Sequence, residues 1–185
     1  MTFPYKISKS IVMVGLMGAG KSSIGRRLAI ALDIPFTDAD EEIVKAAGCS
    51  IEDIFRIYGE ESFRDVERRV IGRLMEKGPR VLATGGGAFI DPTTRAKIKK
   101  DAISLWLRAD LDILVERTGR RGGRPLLENG DSRAILGELM EKRYPVYAEA
   151  DIVIESRDEP HEVTLGHAIK AIEAVFSHPL DEAQA

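Results

Sequence analysis

Gly15-Leu16-Met17-Gly18-Ala19-Gly20-Lys21-Ser22 fits G-x-x-x-x-G-K-[ST], the phosphate-binding loop. Its flanks suit the motif. Ile11-Val12-Met13-Val14 reads as a short buried strand. Ser23 to Leu32 reads as a helix whose Ile24, Leu28 and Leu32 recur one turn apart. In that setting the glycines let backbone N–H groups of Gly18, Ala19, Gly20, Lys21, Ser22 and Ser23 turn inward around phosphate oxygens. The helix start behind them adds partial positive charge. Lys21 then reaches the outer phosphates, and the Ser22 hydroxyl takes a place on Mg²⁺. The chain is expected to bind a nucleoside triphosphate.

Composition narrows the rest. A length of 185 residues suits one domain with a sizeable core, and 44% hydrophobic with 31% charged residues is ordinary for a globular chain. A net charge of −3 offers no basic field for nucleic acid. Three histidines and one cysteine leave no Cys/His zinc cluster and no internal disulfide, and Cys49 alone fits a reducing compartment. Lys6 and Lys9 before Ile11–Gly20 mimic a signal peptide, but cleavage there would destroy the phosphate loop. No apolar run approaches the roughly 20 residues that span a bilayer. A cytoplasmic protein is expected, with loose ends over residues 1–9 and about 178–185.

Strands and helices alternate along the remaining chain. Ile34 to Thr37 forms a second strand and leads into Asp38-Ala39-Asp40. Sites of open α/β sheets lie at the carboxyl ends of strands, so these two carboxylates fall where phosphate chemistry occurs. They also make a good helix N-cap, and both roles can coexist. Helices are expected over 41–47, 50–59 and 60–77. Ser50 opens the second through a capping box with Asp53, and Gly59 separates it from the third. In the third, Phe63, Val66, Val70 and Leu74 form the apolar stripe, with Arg64 on its rim and Glu67 one turn on to hold it. The strand Arg80–Thr84 runs into Gly85-Gly86-Gly87, which is either a flexible turn or backbone N–H groups offered to a substrate oxygen. No aspartate ends this strand, so the second metal contact falls to Asp38. Asp91-Pro92 opens a helix, Ile103–Leu107 is the fourth strand with Trp106 as packing, and Leu111 to Arg117 is helical.

Residues 118–131 are the longest irregular stretch, rich in Gly and carrying Arg120, Arg121 and Arg124. Such a loop is a lid over phosphate or a solvated insert. Ser132 caps the next helix, whose stripe Leu136, Met140, Arg143, Tyr147 contains an arginine that needs an anionic partner. Pro145 should kink it. A fifth strand (151–155) and a closing helix (162–176) complete a parallel sheet with helices on both faces.

Together these motifs resemble the shikimate kinase family from Ile11 to about Phe176. The matching pieces are Gly15–Gly25, Asp38-Ala39-Asp40, Ile51–Phe55, Gly59–Arg64, Gly85-Gly86-Gly87, Arg124–Leu127 and Arg143–Tyr147. The resemblance implies a P-loop NTPase of nucleoside-monophosphate-kinase-like fold, with a five-stranded parallel sheet in order 2-3-1-4-5 and a lid. It implies one kinase domain over 1–185, core 11–176, with shikimate-binding helices about 39–77 and the lid about 118–131. It implies ATP- and Mg²⁺-dependent phosphorylation of the 3-hydroxyl of shikimate, on the route to aromatic amino acids. By position, Asp40 is similar to the base that holds the hydroxyl, and Asp38 to the residue reaching Mg²⁺ through water beside Ser22. Arg64 and Arg143 resemble the pair gripping the shikimate carboxylate, with Gly86 and Gly87 at the same substrate. Arg124 resembles the lid arginine on the ATP phosphates and Arg117 the arginine flanking adenine. Near Pro160, Asp158 and Glu159 depart from the basic or amide residues expected beside adenine. Size and resemblance suggest a monomer.

Competing readings meet specific obstacles. A gluconate kinase of the same fold would carry Leu-His-Pro after the acidic strand end, where this chain has Asp40-Glu41-Glu42-Ile43. Nucleotide kinases are not expected to pair a triple glycine with these arginines. A GTPase needs Asn-Lys-x-Asp, which is absent. A regulator without catalysis has no need of Lys21, Ser22, Asp38, Asp40 and Arg124 together.

Overall fold

In the computed structural model, residues 3–119 and 131–177 are described. Their elements are β1 (Ser10–Val14), α1 (Lys21–Leu32), β2 (Phe36–Asp38), α2 (Ala39–Ala47), α3 (Ile51–Glu76), β3 (Val81–Ala83), α4 (Pro92–Asp101), β4 (Ala102–Arg108), α5 (Leu111–Gly119), α6 (Ser132–Tyr147), β5 (Ile152–Glu155) and α7 (His161–Ser177). The expected lid lies outside the described residues except at its ends, and Arg124 lies outside them altogether.

The five strands form one parallel sheet in the order β2-β3-β1-β4-β5. Ile11, Val12 and Met13 of central β1 are fully buried, as a strand covered on both faces must be. The chain leaves β1 toward one edge and β3 toward the other, so right-handed crossovers set α1 and α4 on opposite faces. α1 packs with α7, while α4 packs on β4 and against α3. Register then sets the site. Met13 pairs with Ala83, and Ala83 with Asp38, so the phosphate loop, the triple glycine and Asp38 leave the sheet at one level.

Local chemistry explains most boundaries. Ser50 Oγ accepts from Asp53 N at 3.1 Å, and Asp91 caps α4 with Pro92 at its first position. Gly59 is non-helical, at φ 78° and ψ 174°, and divides α3 into two helices, as its place in the sequence predicts. Pro145 lies within α6. Three expectations are corrected. Asp131, not Ser132, caps α6, accepting from Arg133 N at 2.9 Å. α2 begins at Ala39 rather than at residue 41, so Asp40 lies within the helix while Asp38 ends β2. Residues 3–9 are not loose: Ile7 is buried and Phe3 meets Phe176 edge-on, because this apolar start covers the core beside α7.

Among the described residues no helix is long and apolar enough to cross a membrane. Gly59 occupies backbone space that side chains rarely enter, so Gly59→Ala should cost about 1–3 kcal/mol. Urea denaturation of both proteins measures this, and an unchanged midpoint would refute the strain.

Candidate active site

The first part of the site is the phosphate loop. Gly18 and Gly20 have positive φ, 85° and 96°, which shapes the turn ahead of α1. Lys21 Nζ donates to Gly15 O and Leu16 O, both at 2.9 Å, so the amine lies folded along the loop. Ser22 Oγ donates to Asp38 Oδ2 at 2.7 Å. The other oxygen, Oδ1, accepts from Asp40 N at 3.1 Å. Asp38 therefore caps α2 and meets the loop serine with one carboxylate. A hydroxyl and a carboxylate side by side are hard oxygen donors suited to Mg²⁺. Among the described residues no cluster of three or more His, Cys, Asp or Glu could hold a metal.

The second part is a charged pocket against the triple glycine. A Cβ on Gly85 would lie 3.0 Å from Glu67 Oε1 and 3.1 Å from Asp40 Oδ1, so both carboxylates press on this backbone. A Cβ on Gly87 would fall on the Arg64 guanidinium, which would have to move to make room for it. One on Gly86 would lie 3.0 Å from Arg143 Nη1. Asp40, Arg64, Glu67 and Arg143 thus surround the three glycines. Arg64 Nη1 donates to Glu67 Oε2 at 2.7 Å, and Nη2 to Glu60 at 3.2 Å.

Burial tunes these acids. Desolvation, then the neighbouring Asp38 charge, lifts the Asp40 carboxyl above the usual range, while Lys21 and Arg64 pull it back. Glu67, expected to hold Arg64, is 1% exposed, while Val66 of the expected apolar stripe is only partly buried. The Arg64-x-x-Glu67 spacing signals the ion pair and not its depth. Burial likewise pushes the Glu67 carboxyl up, against the pull of Arg64. Its Oε1 has no hydrogen-bond partner among the described residues.

Beside the phosphate loop lie contacts that no motif announced. Arg117 donates to Ser156 Oγ at 2.8 Å and to Arg157 O at 2.6 Å. Ser156 Oγ in turn donates to Ala19 O at 2.9 Å. The turn after β5 is thereby tied to the phosphate loop, and Arg117 stands beside Gly20. Ser23 Oγ and His161 Nε2 form a second tie at 3.2 Å. Glu159 accepts from Thr164 Oγ1 at 3.0 Å at the start of α7, which gives this unexpected acid a structural partner.

The family model described as Shikimate kinase matches residues 17–173. The chain belongs to the shikimate kinase family. A shikimate kinase of Paramagnetospirillum magneticum is 55% identical over 173 residues, covering 94% of this chain and 87% of the relative. Among solved structures, shikimate kinase from Acinetobacter baumannii in complex with shikimate superposes with a TM-score of 0.87 at 34% identity. It covers 91% of this chain and 95% of the other. A gluconokinase from Sinorhizobium meliloti covers 96% of each chain with a TM-score of 0.59 at 19% identity, a likeness of fold alone. The shikimate kinase reading thus stands over the gluconate-type alternative.

The buried Glu67 charge yields a pH prediction. Burial holds its folded pKa above the ordinary glutamate value of 4.5, so the folded state binds more protons than the unfolded chain in that window. Stability from this residue is then full below pH 4.5 and is lost as pH rises through the folded pKa. Glu67→Gln should therefore gain stability relative to the parent between about pH 4 and pH 8. Melting temperatures across that range check it, and a pH-independent difference would refute it.

Proposed function

We propose that Lys21, Asp40, Arg64 and Arg143 carry out in this chain its family's reaction, the ATP- and Mg²⁺-dependent phosphorylation of the shikimate 3-hydroxyl. The observation that supports these roles is the convergence of one half-buried acid and two guanidinium groups on the triple glycine, level with the phosphate loop.

The carboxylate of shikimate suits two arginines, because guanidinium groups bind carboxylates through paired, charge-assisted hydrogen bonds. Arg64 and Arg143 take that role, with backbone at Gly86 and Gly87 beside them. Asp40 holds the 3-hydroxyl and receives its proton as the hydroxyl oxygen bonds to the terminal phosphorus and the bridging P–O bond to ADP breaks. Its raised pKa makes it a better proton acceptor than a solvated aspartate. The N–H groups of Gly18 through Ser23 bind phosphate, and Lys21 moves from its loop carbonyls to the outer phosphates. Ser22 and Asp38 would hold Mg²⁺, the latter through water, and the ion neutralises phosphate charge when bound. Arg117 borders the adenine, and Arg124 enters the reading as a phosphate contact on the family resemblance.

The reading includes one domain over residues 1–185, with acid-binding helices about 39–77 and a lid about 118–131. It is of a monomer in the cytoplasm, with small-molecule substrates and no nucleic-acid or membrane partner. The absence of a basic surplus supports the last point.

Steady-state kinetics with shikimate, gluconate and nucleoside monophosphates in parallel tests this. Turnover is expected with shikimate, and its absence there would end the proposal. Asp40→Asn should lose roughly 10²- to 10⁴-fold in kcat while still binding ATP; undiminished turnover would remove it as base. Arg143→Ala should raise KM for shikimate roughly 10- to 100-fold, the worth of a charged hydrogen bond, with KM for ATP little changed. The reverse pattern would place Arg143 at the nucleotide instead.

A further inference from the structure

Tyr147 closes α6 with its side chain fully buried. Its hydroxyl donates to the carbonyl of Gly86, and the Arg143 guanidinium, one turn earlier on the same helix, lies against the same glycine. A phenol has one proton to give, and here it goes to Gly86 O. Tyr147 and Arg143 thus meet the triple glycine, which comes from a distant part of the chain, at one point. From the backbone side, a Cβ on Gly86 would sit 3.0 Å from Arg143 Nη1 and 3.5 Å from Tyr147 Oη.

The ring is fixed independently of the hydroxyl. Its centroid lies 5.8 Å from that of Trp106 and 6.2 Å from that of Tyr144, which itself meets Trp106 edge-on. A phenylalanine would fill the same space without the cost of burying a polar group, so packing alone does not call for a tyrosine. The peptide between Gly86 and Gly87 is planar and trans, with its C=O and N–H pointing in opposite directions. Holding Gly86 O toward Tyr147 thus aims the Gly87 N–H away from it, on the residue whose Cα faces Arg64.

We propose that Tyr147 is a positioning residue for the acid substrate, orienting the Arg143 guanidinium and the Gly86–Gly87 peptide together. The inference rests on the reading of Arg143 and the triple glycine as the carboxylate site. Tyr147 acts through these groups and does not itself contact substrate. Burial pushes its hydroxyl pKa up to about 12, so the donor stays protonated across the working pH range.

Tyr147→Phe, Arg143→Ala and the double variant, assayed by initial rates with shikimate and ATP varied separately, provide the test. Tyr147→Phe should raise KM for shikimate about 5- to 10-fold, as expected for a lost buried hydrogen bond. Its kcat and KM for ATP should stay within about twofold of the parent. Added to Arg143→Ala it should cost less than twofold more, since coupled residues are non-additive. A parallel rise in both KM values, or a full further penalty in the double variant, would reduce Tyr147 to packing and overturn the inference. If Arg143→Ala raises KM for shikimate and Tyr147→Phe does not, the inference falls while the site reading stands. If Arg143→Ala itself has no effect on that KM, the site reading falls first and takes the inference with it.

Discussion

Two carboxylates, Asp40 and Glu67, are held away from water against the bare backbone of Gly85, and much of the site follows from balancing their charge. Burying a lone charge is prohibitive, so each must have a compensating partner. Arg64 answers Glu67 directly and Asp40 through space, and Lys21 contributes from the phosphate loop. Compensation at this distance leaves no room for side chains between the partners. The Arg64 guanidinium occupies the place where any side chain on Gly87 would begin. The triple glycine is therefore better understood as space surrendered to charged groups than as a hinge.

The same arrangement divides the labour of the site. The sheet supplies level: parallel register brings the ends of β1, β2 and β3 to one edge. Helices supply the charges, with Asp40 on α2, Arg64 and Glu67 on α3, and Arg143 on α6. At the other end of the pocket, Ser156, Arg117 and His161 tie the β5–α7 turn to the phosphate loop and the start of α1. That turn is thus fixed against the phosphate loop by hydrogen bonds within the protein. This also explains how acidic residues are accommodated near Pro160, since Glu159 is engaged by Thr164.

Much of this was legible in the chain. The phosphate loop, the apolar runs, the helix punctuation at Gly59 and Pro92 and the Arg64–Glu67 spacing all depend on residues close in sequence. Their outcome is governed by turn geometry and helical period. The same local rules erred where two neighbours compete for one role, as Asp131 and Ser132 did at the start of α6. They erred again at the start of α2, which begins at Ala39 and takes in Asp40.

By itself the sequence determined that phosphate is held by a glycine loop at a helix start, that strands and helices alternate, and which charged residues were available for chemistry. Only the tertiary structure decided how deep those charges lie and which distant groups they meet. Glu67 is buried because α3 turns that face inward, and Ser156 reaches Ala19 because strand order brings the end of β5 beside the phosphate loop. Period and turn chemistry act over a few residues, whereas desolvation and long-range hydrogen bonding depend on which surfaces the fold brings together.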